Sequence, residues 1–99
     1  MSVRRFRFMI EEIKRDIEEC ERQIAYHLDE MQRAYHQGEG QIERHHRQEQ
    51  LKWERKLRHS IRDLIHTERK LAKSIEEEHI HRLHEEQARR DGKSRNTWW

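Results

Sequence analysis

Apolar side chains recur every three or four positions along the first third of the chain. One position of the repeated heptad holds Val3, Ile10, Ile17, Ile24 and Met31. A second position holds Phe6, Ile13, Cys20, His27 and Ala34. This spacing predicts an α-helix with one apolar stripe of the coiled-coil kind. His27 is the polar exception in the stripe, and we expect its neighbour Leu28 to fill part of that layer.

A second apolar stripe follows in the later half of the chain. Its members are Leu57, Ile61, Leu64, Leu71 and Ile75, with Ile65 and Ala72 widening it and Glu68 interrupting it. The two stripes are out of phase by about two residues, so one unbroken helix cannot present both in a single seam. Gly38 and Gly40 lie between them, and Gly38 suits the left-handed position that follows a helix end.

The sequence therefore predicts an all-α fold, a long antiparallel helix-loop-helix hairpin of the coiled-coil type. Helix 1 is expected at about 4–37, the loop at 38–40 and helix 2 at about 41–90. A fold at Glu39 brings together apolar positions whose numbers sum to about 78. The pairs are Ile17 with Ile61, Ile13 with Leu64 and Ile65, Phe6 with Leu71 and Ala72, and Val3 with Ile75.

Charge supports the same pairing. Residues 11–30 carry eight acidic and three basic side chains, whereas residues 44–62 carry seven basic and two acidic ones. Opposite charge on the two helices favours the antiparallel arrangement, although each exposed pair contributes only about 0.5 kcal/mol.

Composition limits the class of protein. Hydrophobic residues make up 31% of the 99 residues and charged residues 42%, so a closed globular core is not expected. The net charge of only +2 and the periodic apolar spacing argue against disorder. Two helices cover only half of each stripe, so we expect a homodimer in the form of a four-helix bundle. A different protein that covers the same surface is the alternative.

Two further features bear on the compartment. The single Cys20 excludes a disulfide framework within the chain. No apolar run is long enough to cross a membrane or to form the core of a signal peptide. We therefore expect a cytoplasmic protein that does not bind membranes, with a small secreted or host-delivered protein as the alternative.

The end of the chain offers candidate partner-binding residues. Residues 91–99 are predicted as a flexible basic tail that ends in Trp98 and Trp99. Tryptophan is enriched at the centres of protein interfaces, so the pair suits a short anchor for an unidentified partner. The other interpretation is that both rings fold back on the helices. Further candidates for this surface are Arg89, Arg90 and Tyr35.

Basic residues beside aromatic ones indicate nucleic-acid binding as an alternative function. Arg4, Arg5 and Arg7 alternate with phenylalanines, and Lys93 and Arg95 precede the terminal tryptophans. Such a combination suits phosphate contacts with base stacking. A structural explanation competes with it. Phe6 belongs to the apolar stripe, and Arg4 and Arg5 could reach the acidic residues 76–78.

Histidine is abundant, with nine residues, and one cluster has a spacing used by metal sites in helical bundles. Glu78 and His81 are three residues apart and share a helix face with His84 nearby. The competing interpretation is a set of solvated histidines on a polar face.

The sequence contains no nucleophile-base arrangement and no glycine-rich phosphate loop, so no catalytic residue and no cofactor are predicted. The first hypothesis is a non-enzymatic helical-hairpin interaction module that regulates or scaffolds a partner. The second is a nucleic-acid-associated protein, or a small inhibitor of a nucleic-acid machine of the type encoded by phages and mobile elements. The third is a bundle metal site built from Glu and His.

Overall fold

Two long helices form the whole of the described chain. The computed structural model describes the backbone of residues 2–96 and the side chains of residues 2–91. Helix α1 spans Val3–His36 and helix α2 spans Gly40–Asn96. They pack against each other as a hairpin with principal extents of 93 × 15 × 14 Å. The predicted all-helical hairpin is confirmed, and the molecule is a rod rather than a globule.

The two helices differ greatly in length. Helix α1 has 34 residues, about 51 Å, and α2 has 57 residues, about 86 Å. Among the side chains of α2 that the structure describes, Ser74 is the last half-buried one, and every residue from Ile75 to Asp91 is exposed. We call residues 76–91 the overhang, because α1 does not cover them.

Helix α2 ends later than the sequence predicted. It continues to Asn96 instead of stopping near Arg90, so residues 91–96 of the expected flexible tail are helical. No proline follows Arg90, and a lone glycine such as Gly92 costs a helix only about 1 kcal/mol. Trp98 and Trp99 lie outside the described residues.

The turn between the helices is built around Gly38, as predicted. Its φ of 71° lies in the left-handed region that favours glycine. The Glu39 amide donates to the Ala34 carbonyl at 2.9 Å, and the Gly38 amide donates to the Tyr35 carbonyl at 3.2 Å. These two bonds form a Schellman motif, which satisfies carbonyls at the end of α1. At the other end of α1, the Ser2 hydroxyl accepts from the Arg5 amide at 3.2 Å and caps the helix.

The predicted stripe of α1 faces α2. The buried residues of α1 are Phe6, Ile10, Cys20, His27 and Ala34, all members of the predicted heptad. One expectation about this stripe is wrong. Leu28 does not replace His27 in its layer, because Leu28 is 46% exposed and His27 is only 7% exposed.

The stripe of α2 was predicted only in part. Leu57, Leu64 and Leu71 are half-buried, as expected. The other inward positions belong to Ser60, Thr67 and Ser74. Ser60 and Thr67 are 7% and 5% exposed, whereas the predicted Ile61 and Ile75 are 41% and 44% exposed.

The correction has a physical reason. The three leucines are seven residues apart, and a regular 3-4 spacing adds residues 60, 67 and 74 to the same stripe. Residues 60 and 74 directly precede Ile61 and Ile75, which the sequence predicted for the seam. Small side chains at these positions let the backbones approach, while the larger side chains of α1 fill the space between the helices. A prediction from hydrophobicity alone places the neighbouring isoleucines in the seam instead.

The expected charge complementarity does not take the form of ion pairs between the helices. Every ion pair found among residues 2–91 joins side chains three or four residues apart in one helix. Arg22 and Glu19, at 2.6 Å, form the shortest of these pairs. Arg4 and Arg5 form none with the acidic residues 76–78 in this part of the chain.

Candidate interaction surface

A row of apolar side chains on α2 lies to one side of the seam with α1. Ile61, Ile65 and Ile75 are 41%, 45% and 44% exposed, and the small Ala72 between them is exposed too. We call these four residues the outer face of α2. At 3.6 residues per turn, the outer face lies roughly 100° around the helix from the seam with α1. Helix α2 therefore has two apolar faces, of which α1 covers one.

The overhang continues this exposed surface beyond the end of α1. Ile80 and Leu83 are 44% and 50% exposed there. The overhang begins with three consecutive glutamates, at residues 76–78. Arg89 and Arg90, both predicted to contact a partner, are exposed near its end. The overhang thus carries both apolar and charged groups, and α1 does not cover them.

Helix α1 has no comparable second face. Its exposed large apolar residues are Phe8, Tyr26, Leu28 and Tyr35. They are separated by up to eighteen positions and do not form a row at helical spacing. Tyr35, a predicted partner-binding residue, is 69% exposed at the loop end, where its ring meets that of His36 at 5.6 Å.

Two histidines form a contact between the helices near the loop. The Nδ1 atoms of His27 and His46 are 2.9 Å apart. This distance requires different tautomers, so that the Nδ1–H of one ring donates to the bare Nδ1 of the other. The Tyr26 ring lies edge-on to both, at 5.0 Å from His27 and 6.1 Å from His46. The pair fills a seam layer with a polar but satisfied contact.

The environment of His27 disfavours its protonation. Burial is the main cause that lowers the pKa of His27, and the adjacent His46 adds to the effect. Glu49 and Glu30 act in the opposite direction, and His45 acts in the same direction as His46. When both rings are protonated, neither Nδ1 keeps a lone pair to accept the hydrogen bond. The contact is therefore suited to the neutral form of His27.

Cys20 is a structural residue of the seam. Its side chain is fully buried, at 0% exposure. Burial raises the pKa of the Cys20 thiol, which keeps it protonated. A buried, protonated thiol is a poor nucleophile and packs as a small apolar side chain.

The predicted nucleic-acid residues fall in two places. Arg4, Arg5 and Arg7 are exposed on the first turns of α1. A shallow open depression there is lined by Ser2, Arg4, Arg5, Phe8, Met9 and Glu12. Phe8 is 60% exposed beside these arginines, whereas Phe6 is buried in the seam, as expected. Lys93 and Arg95 are in the last turns of α2, and their side chains lie outside the described ones.

The predicted metal residues are not gathered into a site. His81 pairs with Glu85 at 3.1 Å, and Glu78 pairs with Arg82 at 4.0 Å. Across the side chains described, no three His, Cys, Asp or Glu groups converge on a point where an ion could sit. His84 is exposed on the overhang.

Comparison with known proteins adds no relationship. No protein-family model, no curated protein and no solved structure matches this chain. Over the described residues, neither helix has an apolar stretch long enough to span a bilayer.

Sequence reasoning missed the outer face and the histidine pair. The outer face was hidden because its isoleucines were assigned to the seam. A cue was present, since apolar residues of α2 occupy both residues 64–65 and residues 71–72, which is more than one narrow stripe needs. His27 was noticed as a misfit, but its partner depended on the exact register of the two helices.

Proposed function

We propose that the chain is a non-enzymatic helical-hairpin module that binds other proteins, a second copy included, and regulates or scaffolds a partner. The observation that carries the proposal is the exposed outer face of α2, with Ile61, Ile65 and Ile75 all above 40% exposure. A row of apolar residues at helical spacing is the surface that an amphipathic helix of another chain covers.

The distribution of apolar residues along the chain supports the proposal. The chain has few apolar residues, 31% in all, yet several large ones lie outside the seam. Isolated exposed apolar residues are ordinary, but contiguous ones mark interaction sites. Ile80 and Leu83 extend the row along the overhang, where no core of this chain exists for them to join.

The absence of an activity of its own belongs to the same proposal. The two imidazoles in the seam, those of His27 and His46, are hydrogen-bonded to each other. The one thiol, on Cys20, is fully buried. Neither arrangement offers an accessible nucleophile with a free general base.

Affinity capture with matched variants tests the partner surface. The double variant Ile80→Glu, Leu83→Glu places two charges on the overhang without touching the seam. Leu28→Glu is the control, because Leu28 has a similar exposure of 46% on α1. We expect a partner captured by the parent chain to be lost from the overhang variant and kept by the control. Equal capture by all three would contradict the overhang as the binding surface.

A truncation after Asp91 tests the terminal tryptophans separately. If Trp98 and Trp99 anchor a partner, the shortened chain binds that partner more weakly while its helical content per residue is unchanged. Unchanged affinity, measured by titration calorimetry with the captured partner, would remove the tail from the proposal and leave the overhang.

Nucleic-acid binding remains the second candidate because of one observation. Phe8 is 60% exposed beside Arg4 and Arg5 in the depression at the start of α1, which suits base stacking with phosphate contacts. A gel-shift series with single-stranded DNA and RNA tests it. This candidate requires binding that weakens steeply with salt and is lost in the variant Arg4→Ala, Arg5→Ala.

A further inference from the structure

The outer face of α2 has a shape and charge pattern that match a second copy of itself. We propose that two chains associate through an antiparallel α2–α2 contact centred between Glu68 and Arg69. The inference rests on the proposed function, since it names one occupant of the same apolar face. It goes further by fixing the direction and the register of the contact.

The apolar residues of the face are arranged almost symmetrically. Ile65 and Ala72 stand at equal distances from the midpoint between Glu68 and Arg69, and the distances of Ile61 and Ile75 from it differ by one position. When two such helices run antiparallel about this midpoint, residue numbers in contact sum to about 137. Ile61 then meets Ile75 of the second copy, and Ile65 meets Ala72. In the second pair a large side chain packs against a small one, which suits close helix packing.

Glu68 lies within the row, between Ile65 and Ala72, and Arg62, Arg69 and Glu76 lie at its edge. Their charges match in the same register. Glu68 meets Arg69 of the second copy, and the two-fold axis repeats that pair. Arg62 comes next to Glu76 of the second copy. Adjacent residues on one helix do not face each other, so Glu68 and Arg69 cannot satisfy each other within a chain. In the part of the chain with described side chains, none of these four residues takes part in an ion pair.

A parallel arrangement lacks this complementarity. It sets each charged residue beside its own copy, Glu68 beside Glu68 and Arg69 beside Arg69. Like charges brought together in this way oppose association. The charge pattern therefore selects the antiparallel direction.

The antiparallel contact also gives the overhang a neighbour. Leu83 falls opposite Glu54 of the second copy, so the contact can extend over residues 54–83, about 45 Å of helix. With a helix diameter of about 10 Å, the strip hidden on each copy projects to roughly 450 Å². Accessible area exceeds projected area, which places this dimer at the small end of stable interfaces, near 600–800 Å² per partner.

Helix α1 would not take part in the central contact. It has one apolar stripe, already against α2, and no second row for a neighbouring helix. The central contact is therefore formed by the two α2 helices, and each α1 lies roughly 100° around its own α2 from that contact.

Sedimentation equilibrium of the full chain tests whether the contact exists. We expect a dimer that dissociates on dilution, with Ile65→Glu weakening association at least tenfold while helical content stays unchanged. Leu28→Glu, of similar exposure on α1, should associate like the parent. A parent chain that stays monomeric at high concentration would overturn the inference. So would a dimer that Leu28→Glu disrupts and Ile65→Glu does not.

Charge exchange and cross-linking test the register. Glu68→Arg should weaken the dimer, and the double variant Glu68→Arg, Arg69→Glu should restore it. Mixing Ile61→Cys chains with Ile75→Cys chains should yield a disulfide between them, whereas Ile75→Cys alone should give none. The unmodified chain is the control, because its Cys20 is fully buried. A disulfide in Ile75→Cys alone would show a parallel contact and contradict the register.

These outcomes separate the inference from the proposed function. Binding of another protein to the overhang by a monomeric chain would leave the proposed function intact and remove the self-association. Loss of both would remove the interaction surface altogether.

Discussion

The two helices use their apolar residues in opposite ways. In α1, the apolar residues with helical spacing lie in the one stripe that faces α2, with Phe6, Ile10 and Cys20 buried, and the exposed apolar residues form no second row. In α2, the seam combines three half-buried leucines with the small polar residues Ser60 and Thr67, and Ile61, Ile65 and Ile75 lie on a separate exposed face. The difference leaves α1 with one apolar face, which α2 covers, and α2 with a second apolar face that α1 does not cover.

The contrast explains how a chain of low hydrophobicity can support a fold and still expose a row of apolar residues. Ser60 and Thr67 allow α2 to approach α1 closely while the apolar volume of the seam comes mainly from α1. The isoleucines of α2 are then free for a second contact. A protein in which both helices placed all apolar residues inward would have a thicker seam and no binding surface.

The largest expected effect comes from truncating isoleucine on each helix. Ile10→Ala removes a side chain that is 7% exposed and should lower the free energy of unfolding by about 2–4 kcal/mol. Ile65→Ala, at 45% exposure, should cost less than about 1 kcal/mol in dilute, monomeric protein. Urea denaturation followed by circular dichroism measures both. Equal losses would mean that the two helices do not differ as described.

The turn gives an effect of intermediate size and a matched control. Gly38→Ala forces an alanine into a left-handed conformation with φ near 71° and should destabilise the hairpin by about 1–2 kcal/mol. Gly40→Ala, in the first turn of α2, should be neutral or slightly stabilising, since alanine favours helix. Thermal melts of both variants measure the difference. Similar melting temperatures for the two would argue against the Schellman turn.

The histidine pair predicts a change of stability with pH. The pKa of His27 is lowered in the folded chain, mainly by burial, so the unfolded chain takes up a proton that the folded chain resists. The contribution is complete above the unfolded pKa of about 6.5 and is lost as pH falls through the lowered value. We expect the melting temperature to fall between about pH 7.5 and pH 5.

His27→Leu isolates that effect from the other histidines. The variant keeps a similar volume but lacks the titrating ring, so its stability should change less over the same pH range. Tyr26, Glu30, His45 and Glu49 surround the pair and are left unchanged. If parent and variant showed the same pH dependence, the buried pair would not be its source.

Most of the fold followed from the sequence because its signals are local. The heptad of α1, the glycine turn at Gly38 and the phase shift between the stripes each depend on residue spacing alone. The end of α2 was less predictable, because nothing in residues 91–96 strongly terminates a helix.

The surface was harder to predict than the fold. Choosing between Ser60 and Ile61 for the seam is a choice of one residue, about 100° around the helix, and hydrophobicity favours the wrong one. Pairing of His27 with His46 depends on the register between the helices. Both features are set by tertiary packing, which the pattern of one helix does not contain.

Labelling of neighbouring cysteines tests most directly which face of α2 meets α1. Ser60→Cys and Ile61→Cys are compared for their rates of reaction with a maleimide, each in chains that also carry Ile65→Glu to prevent self-association. We expect Cys at position 61 to react at least tenfold faster, because Ser60 is 7% exposed and Ile61 is 41% exposed. A faster reaction at position 60 would place the isoleucines in the seam and contradict the division between the two faces.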